Sequence, residues 1–416
     1  MWGRREKQRL SQLEEILFDI IICGGGLTGT VAALAFSKNN FSVAVIDPKN
    51  LAGNDQKNGK TKRIIDFRST AHLEGAVHYL DKLEVWKRLS NYACPLETLS
   101  IMNVHNGNTP REQETKTIFR ASEIGKKQFG FNVPIEKSWQ ILADAVLEEE
   151  RISAFSGKEL QSYSVQGALV NVTLSDGQKL TCRFLVGADG HLSKVRKLAH
   201  ISTISRSTGQ TALTFNIHHE KPHQNTSTEI YVDGGPFTIV PLRQKTKSHH
   251  SAVVWMQKLE RVNQLLQLKD IEFKQEVQKW SRNIVGEIKS VSKVTSKPVG
   301  LSIAKQIVAE RVALIGEAAH TLPPIGAQGF NLSIKDISVL DSLTGAEPAK
   351  IGEKYMLRQY QRTRLPDIFF KAGGVGFLNQ LALSERSALQ HFRALALSSF
   401  EGSHILKHGL MRLGLN

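Results

Sequence analysis

The chain has 416 residues, 41% of them hydrophobic and 22% charged, which is enough for a sizeable core in two packed subdomains and argues against global disorder. Lysine and arginine number 54 against 39 acidic residues, a formal net charge of +15, which favours an anionic partner; with no zinc finger, no aromatic ribonucleoprotein motif and no dense Lys/Arg helix, nucleic acid is not expected to be that partner. The three cysteines, Cys23, Cys94 and Cys182, are odd in number and widely spaced, so neither a disulfide framework nor a metal site is expected, and a reducing cytoplasm fits.

The opening MWGRREKQRLSQLEEILFD has no long apolar core and no cleavage signature, so it does not read as a secretory signal. The apolar stretch FDIIICGGGLTGTVAALAF (18–36) carries four glycines and divides into a strand and a helix, so it is not read as a membrane span. Residues 18–23 are a short unbroken apolar run, the pattern of a buried parallel strand. A turn over 24–29, a helix over 30–38 and a strand over 41–47 complete a βαβ unit of about 30 residues. A polar loop follows at 49–62, then a helix over 70–90, short strands within 95–120 and a helix over 136–150. Alternating apolar residues flank Asp176-Gly177, a hairpin signal, and the second strand of that hairpin runs through Val186 to Asp189-Gly190. Four strand-like segments within 210–258 suit an antiparallel sheet inserted as a second domain. Helices are expected over 259–283. The stretch RVALIGEAAHTLPPIGAQGFNLSIKDI (311–337) returns the chain to the first domain. Residues 353–416 read as helical, broken at Pro366 and at Gly373-Gly374.

Gly24, Gly26 and Gly29 form a G-x-G-x-x-G between a strand and a helix. Gly24 permits the tight turn, Gly26 lets a pyrophosphate approach the backbone, and Gly29 lets the helix pack closely on the strand. The helix N-terminus then turns its unpaired N–H groups to the phosphates. Asp47 stands eighteen residues after Gly29 at a strand end, where a carboxylate can accept bonds from ribose hydroxyls. This pattern predicts dinucleotide binding, but it does not by itself separate FAD from NAD.

Taken together, GGGLTG, LVGADGHLSKVR and IGEAAHTLPPIGAQGFNLSIKDI resemble the flavoprotein aromatic hydroxylases of the p-hydroxybenzoate hydroxylase type. Within that group the chain is most similar to the ubiquinone-biosynthesis hydroxylases, above all in PPIGAQGFNLSIKDI and in DFRSTAHLEGAVHYLDKLEVW (66–86). The resemblance implies an α/β fold: a Rossmann-like FAD-binding domain with an inserted antiparallel-sheet substrate domain and C-terminal helices. The FAD-binding domain is expected in three parts (18–90, 136–205 and 296–350), the substrate domain in two (91–135 and 206–295), and a C-terminal helical region over 351–416. The resemblance further implies that Gly24, Gly26 and Gly29 hold the FAD pyrophosphate and Asp47 the adenosine ribose. Arg68 is expected on the flavin side. Asp189 and Gly190 belong to a motif linked to both FAD and NAD(P)H. Glu317, after Gly316, is expected to bond the ribityl chain; the family usually has Asp there, one methylene shorter. Gly329, Phe330 and Asn331 are expected to aim backbone N–H groups at the flavin pyrimidine from a helix beginning near Asn331, with Gly326 and Gly329 giving the backbone close approach.

The implied activity is hydroxylation of the aromatic ring of a polyprenylated ubiquinone precursor. FAD reduced by NAD(P)H would form a C4a-hydroperoxide with O₂, while the protein orients the ring and excludes water. Such chemistry asks little of side chains, and no catalytic residue is assigned. Three readings stay beside it: the same chemistry on a small soluble phenol, a flavoprotein reductase that transfers no oxygen, and a non-catalytic FAD-holding component of a quinone-synthesis complex.

His320 is expected to bond locally at a strand–helix junction. His218, His219, His223, His249 and His250 are expected at the surface and not as metal ligands, since adjacent histidines on a strand face opposite ways. The segment RSALQHFRALALSSFEGSHILKHGLMRLGLN (386–416) is basic and amphipathic in pattern. It reads either as a helix packed on the FAD domain or as a contact with an anionic membrane surface, which would place the protein in the cytoplasm, peripheral on the inner face of the membrane. Other quinone-synthesis proteins are the remaining expected partners.

Overall fold

The structure is a computed structural model describing residues 17–53, 66–104, 115–232, 235–244, 248–383, 408, 409 and 411. The loop expected at 49–62 falls mostly outside these residues, and so does nearly all of the amphipathic segment 386–416. The helices used below are α1 (Leu27–Lys38), α2 (Glu74–Lys82), α3 (Trp86–Leu89), α4 (Ile135–Glu148), α5 (Lys194–Leu198), α6 (Leu259–Gln267), α7 (Asp270–Trp280), α8 (Gln328–Ala346) and α9 (Lys354–Leu383).

The first sheet is parallel at its centre: strands 312–314, 179–187, 17–23, 43–47 and 152–156 lie side by side in that order. The apolar runs of the first four are buried on both faces, which is why they read as largely unbroken Ile, Val, Leu and Ala, while the edge strand 152–156 (ISAFS) is only partly buried. The expected hairpin is present, with Leu169–Leu174 antiparallel to Lys179–Gly187. A second sheet is built on the 17-residue strand Thr203–His219, flanked by Thr295–Ala304 and His249–Lys258. Its far side continues through Gly235–Pro241, Thr226–Val232, Thr98–Asn103 and Thr115–Arg120. One face of this sheet packs Leu213, Phe215, Ile217, Phe237 and Trp255 against Val262, Leu265, Phe273 and Val277 of α6 and α7, forming a core separate from that of the parallel sheet. A small third sheet joins Ser69–Leu73, Gly130–Pro134 and Cys94–Leu96.

Three local expectations change. Ser69–Leu73 is a strand and not the first turn of a helix, because it pairs in register with Gly130–Pro134; α2 starts only at Glu74. α9 runs unbroken through Pro366 and through Gly373-Gly374 to Leu383; burial of Ile368, Ala372 and Val375 on one side outweighs the local cost of those residues. His219 is buried, not exposed: its ring nitrogens meet the Lys221 carbonyl at 2.8 Å and Ser251 Oγ at 2.9 Å. Its neighbours obey the strand alternation, with His218 stacked on His250 and His219 on His249.

Candidate active site

The glycine turns lie at the carboxyl ends of the parallel strands, the edge where open α/β sheets bind ligands. Gly24 follows Cys23 with φ +110°, and a Cβ there would lie 2.3 Å from the Ala188 carbonyl oxygen. A Cβ on Gly29 would lie 1.8 Å from the Gly24 carbonyl oxygen, whereas one on Gly26 would meet nothing within 4 Å. Two of the three glycines are therefore required by the fold, and Gly26 faces open space. α1 begins there with no side-chain cap and no acidic residue in its first turn, leaving N–H groups and positive potential for an anion. This cradle fits the pyrophosphate of FAD. Asp47 takes the Gly25 N–H at 2.5 Å and the Lys49 N–H at 2.7 Å, and a carboxylate with about four acceptor sites retains capacity for a ribose. Trp139 of α4, which the sequence pattern did not flag, donates its indole N–H to the Gly25 carbonyl at 2.8 Å.

The second motif rests against the first. Asp189 accepts from Ser193 Oγ and from the Lys194 and Val195 N–H groups at 2.6 and 3.0 Å, so its side chain caps α5. Gly190 adopts φ +77° beside it. Buried Arg196, also missed from the sequence, donates to the carbonyls of Ala318 and His191, both at 2.7 Å, and so ties the second motif to the third.

In the third motif Gly316 has φ +60°, and a Cβ would lie 2.8 Å from Thr28 Cγ2 of the first turn. Glu317 points outward, half-exposed, 3.9 Å from Lys297 Nζ and 4.0 Å from His191 Nδ1. Arg68 is paired with Asp66 at 2.6 Å; that bond holds its guanidinium above its ordinary pKa, and the charge of Glu317 adds to the effect. The helix α8 begins at Gln328, not near Asn331, after two consecutive left-handed residues, Gly326 (φ +63°) and Ala327 (φ +55°). Ala327 pays about 1–3 kcal/mol for that conformation, an outlier no sequence pattern would reveal. A Cβ on Gly326 or Gly329 would meet nothing within 4 Å, so the backbone there is open to a ligand. The side chain of Asn331 is used elsewhere: it donates to the Ala71 and Ala327 carbonyls at 2.8 and 2.6 Å and accepts from the Leu73 N–H at 2.8 Å. It thereby clamps the strand that follows Arg68 onto α8. Phe330 packs on the ring of His72 at 4.7 Å.

About two turns into α8 lies a buried ion network. Asp336 of α8 meets His320 Nε2 at 2.6 Å, Arg364 Nε at 2.8 Å and the Gly316 N–H at 3.0 Å. Burial alone would raise its carboxyl, but His320 and Arg364 outweigh that and hold it below its ordinary pKa. The local role expected for His320 is the one observed.

The face of the antiparallel sheet opposite α6 and α7 looks toward the same loop, for Ala212, Met256 and Val299 pack with Ile325 and with Val375 of α9. On this face Thr214, Val254, Thr238 and Glu229 are register partners in one row. Burial raises the Glu229 carboxyl, against a hydrogen bond from Tyr231, whose hydroxyl donates to Glu229 Oε2 at 2.9 Å. Neither residue stands in a motif of its own, so only strand parity could have pointed to them.

The model of the FAD binding domain family matches residues 18–368. A ubiquinone hydroxylase of Rhodospirillum rubrum is 28% identical over 95% of this chain and 88% of its own length. The 3-demethoxyubiquinol 3-hydroxylase of Escherichia coli is 25% identical over 95% of this chain and 98% of its own. Among solved structures, p-nitrophenol 4-monooxygenase from Pseudomonas putida superposes with a TM-score of 0.77 at 13% identity, covering 97% of this chain and 99% of that one, a likeness of fold.

Proposed function

The chain belongs to the FAD binding domain family and is an FAD-dependent monooxygenase, and we propose that it hydroxylates the aromatic ring of a polyprenylated ubiquinone precursor. The observation that carries the reading is the contact between glycine turns at neighbouring parallel-strand ends, Gly24 against Ala188 and Gly316 against Thr28, in a chain aligned over nearly its whole length with two ubiquinone-pathway hydroxylases. Bound FAD supplies the redox chemistry: with NAD(P)H as donor, one atom of O₂ enters the ring and the other leaves as water.

The chain's own residues bind, orient and exclude water. The first turn and Asp47 hold the adenosine diphosphate end. Glu317 would bond the ribityl chain, and Arg68 would lie on the flavin side. The open backbone at Gly326–Gly329 and the start of α8 place N–H groups at the flavin end, where the positive helix terminus favours negative charge. The substrate ring lies between that loop and the sheet face carrying Val254, Met256 and Glu229, whose carboxylate accepts the Tyr231 hydroxyl at 2.9 Å. The proposed place of work is the cytoplasm at the inner face of the membrane, where a polyprenylated ring is held. No helix among the described residues is long and apolar enough to cross a membrane.

Two measurements test the reading. With ¹⁸O₂, the label must enter the product. In lipid extracts, a strain lacking the protein should accumulate a less hydroxylated prenylphenol, restored by this chain; an unchanged quinone profile would remove the substrate assignment while leaving the flavin chemistry intact.

A further inference from the structure

α9 has two unlike sides. Met356, Leu357, Tyr360, Ile368 and Ala372 are buried in the core of the parallel sheet, Arg364 is paired with Asp336, and Val375 packs on Ile325 in the loop ahead of α8. At about 100° per residue, Tyr355, Arg358, Arg362, Pro366 and Phe369 fall within roughly 40° of one line on the opposite side. Lys354 and Phe370 flank it. All are exposed, and the rings are the large ones a folded surface normally hides: Tyr355 is 63% exposed, Phe370 65% and Phe369 39%. No carboxylate stands on that line. The stripe is about 21 Å long, with its cations toward the N-terminal half and its phenylalanines toward the end that covers the substrate face.

We propose that this stripe of α9 is the surface by which the protein lies on an anionic bilayer. Arginines at headgroup level pair with lipid phosphates, and aromatic rings settle at the boundary of headgroup and acyl chain. The excess of cations over the whole chain, +15, works in the same direction. Because Val375, on the buried side of the same helix, packs against the flavin-side loop, docking here brings the substrate face within about one helix diameter, roughly 10 Å, of the lipid, which shortens the path by which an amphiphilic ring enters. The inference rests on the peripheral placement proposed above and adds the face that makes the contact.

The test is co-sedimentation of the FAD-loaded protein with vesicles of equal parts phosphatidylglycerol and phosphatidylcholine, against phosphatidylcholine alone, at low and high salt. Binding is expected to the anionic vesicles and to weaken with salt. Arg358→Gln with Arg362→Gln should lower the partition coefficient by about 5-fold per arginine, roughly 25-fold together, with flavin absorbance retained. Phe369→Trp should gain fluorescence that brominated lipids quench, an arm that does not depend on a loss of binding. If the unchanged protein ignores anionic vesicles, the peripheral placement falls and this surface with it. If it binds but the arginine pair changes nothing and the new tryptophan is not quenched, the placement stands and this surface is wrong. Loss of self-association or of nucleic-acid binding in these variants, with vesicle binding unaltered, would likewise overturn it.

Discussion

The three glycines of the first turn allow a test that separates cofactor binding from folding. At Gly26 a methyl group meets nothing within 4 Å, and the residue sits at φ −73°, ψ −175°, where alanine is at ease. Gly26→Ala should therefore cost the apoprotein only about 0.5–1 kcal/mol, the difference between glycine and alanine at a helix N-cap. At Gly29 the same methyl group lies 1.8 Å from a backbone oxygen, which cannot yield without moving the strand end, so about 1–3 kcal/mol or more is lost. Gly24→Ala adds a forbidden φ to a 2.3 Å contact. The order reverses for the cofactor. A methyl group at Gly26 stands where a pyrophosphate oxygen must reach α1, and losing one charge-assisted bond of about 2–3 kcal/mol lowers FAD affinity by roughly 30- to 150-fold. The assays are thermal unfolding of the apoproteins and FAD titration by flavin fluorescence. The reasoning fails if Gly26→Ala binds FAD as the unchanged protein does, or if it destabilises the apoprotein as much as Gly29→Ala.

Four further outcomes are expected. Arg364→Met leaves Asp336 buried with half its charge partners and should cost about 3–5 kcal/mol in denaturant unfolding. Because the Asp336 carboxyl is held below its ordinary pKa, its contribution is present above about pH 4 and is lost as pH falls through the folded value; Asp336→Asn should abolish that acid limb, and an unchanged limb would contradict the pairing. His72 is fully buried with neither ring nitrogen partnered, and burial pushes its imidazole down to about 3. The unfolded chain binds a proton there below about pH 6.5, so stability should fall by about 1.4 kcal/mol per pH unit between 6.5 and 3, and His72→Leu should remove that slope and raise the melting temperature at pH 7. Finally, Glu317→Ala should weaken FAD binding while Glu317→Asp restores it, read by flavin retention on gel filtration; equal retention in both would detach this carboxylate from the cofactor.

The parallel core could be read from the chain because its strands are buried on both faces and so are written as unbroken apolar runs, and because glycine is the only residue that fits a Cβ-free contact such as Gly29 on Gly24. The small sheet could not. Ser69–Leu73 carries serine, threonine and histidine and owes its conformation to pairing with Gly130–Pro134, a contact some sixty residues away that leaves no local signature. The start of α8 was misplaced for a related reason: Ala327 is left-handed, and nothing in its side chain advertises that. Asp189 shows a different limit. A carboxylate at a strand end was legible, but whether it serves a ligand or caps the next helix depends on where Ser193 and the first turn of α5 fall in space.

The buried network around Asp336 explains why such a conformation persists. As a source of stability it is poor, since a buried ion pair rarely outperforms well-packed apolar side chains of the same volume. An apolar side chain, however, could not accept the N–H of Gly316, which would then be buried and unpaired at a cost of about 1–3 kcal/mol. Nor could it fix, at once, the third turn through Gly316, the strand–helix junction through His320 and α9 through Arg364. One carboxylate of α8 thus holds two segments distant from each other in sequence, the stretch from Gly316 to His320 and α9 at Arg364. The strain at Ala327 is sustained by the Asn331 clamp, which donates to its carbonyl at 2.6 Å, on a helix that the Asp336 network anchors, so the backbone proposed to face the flavin is set before any cofactor arrives.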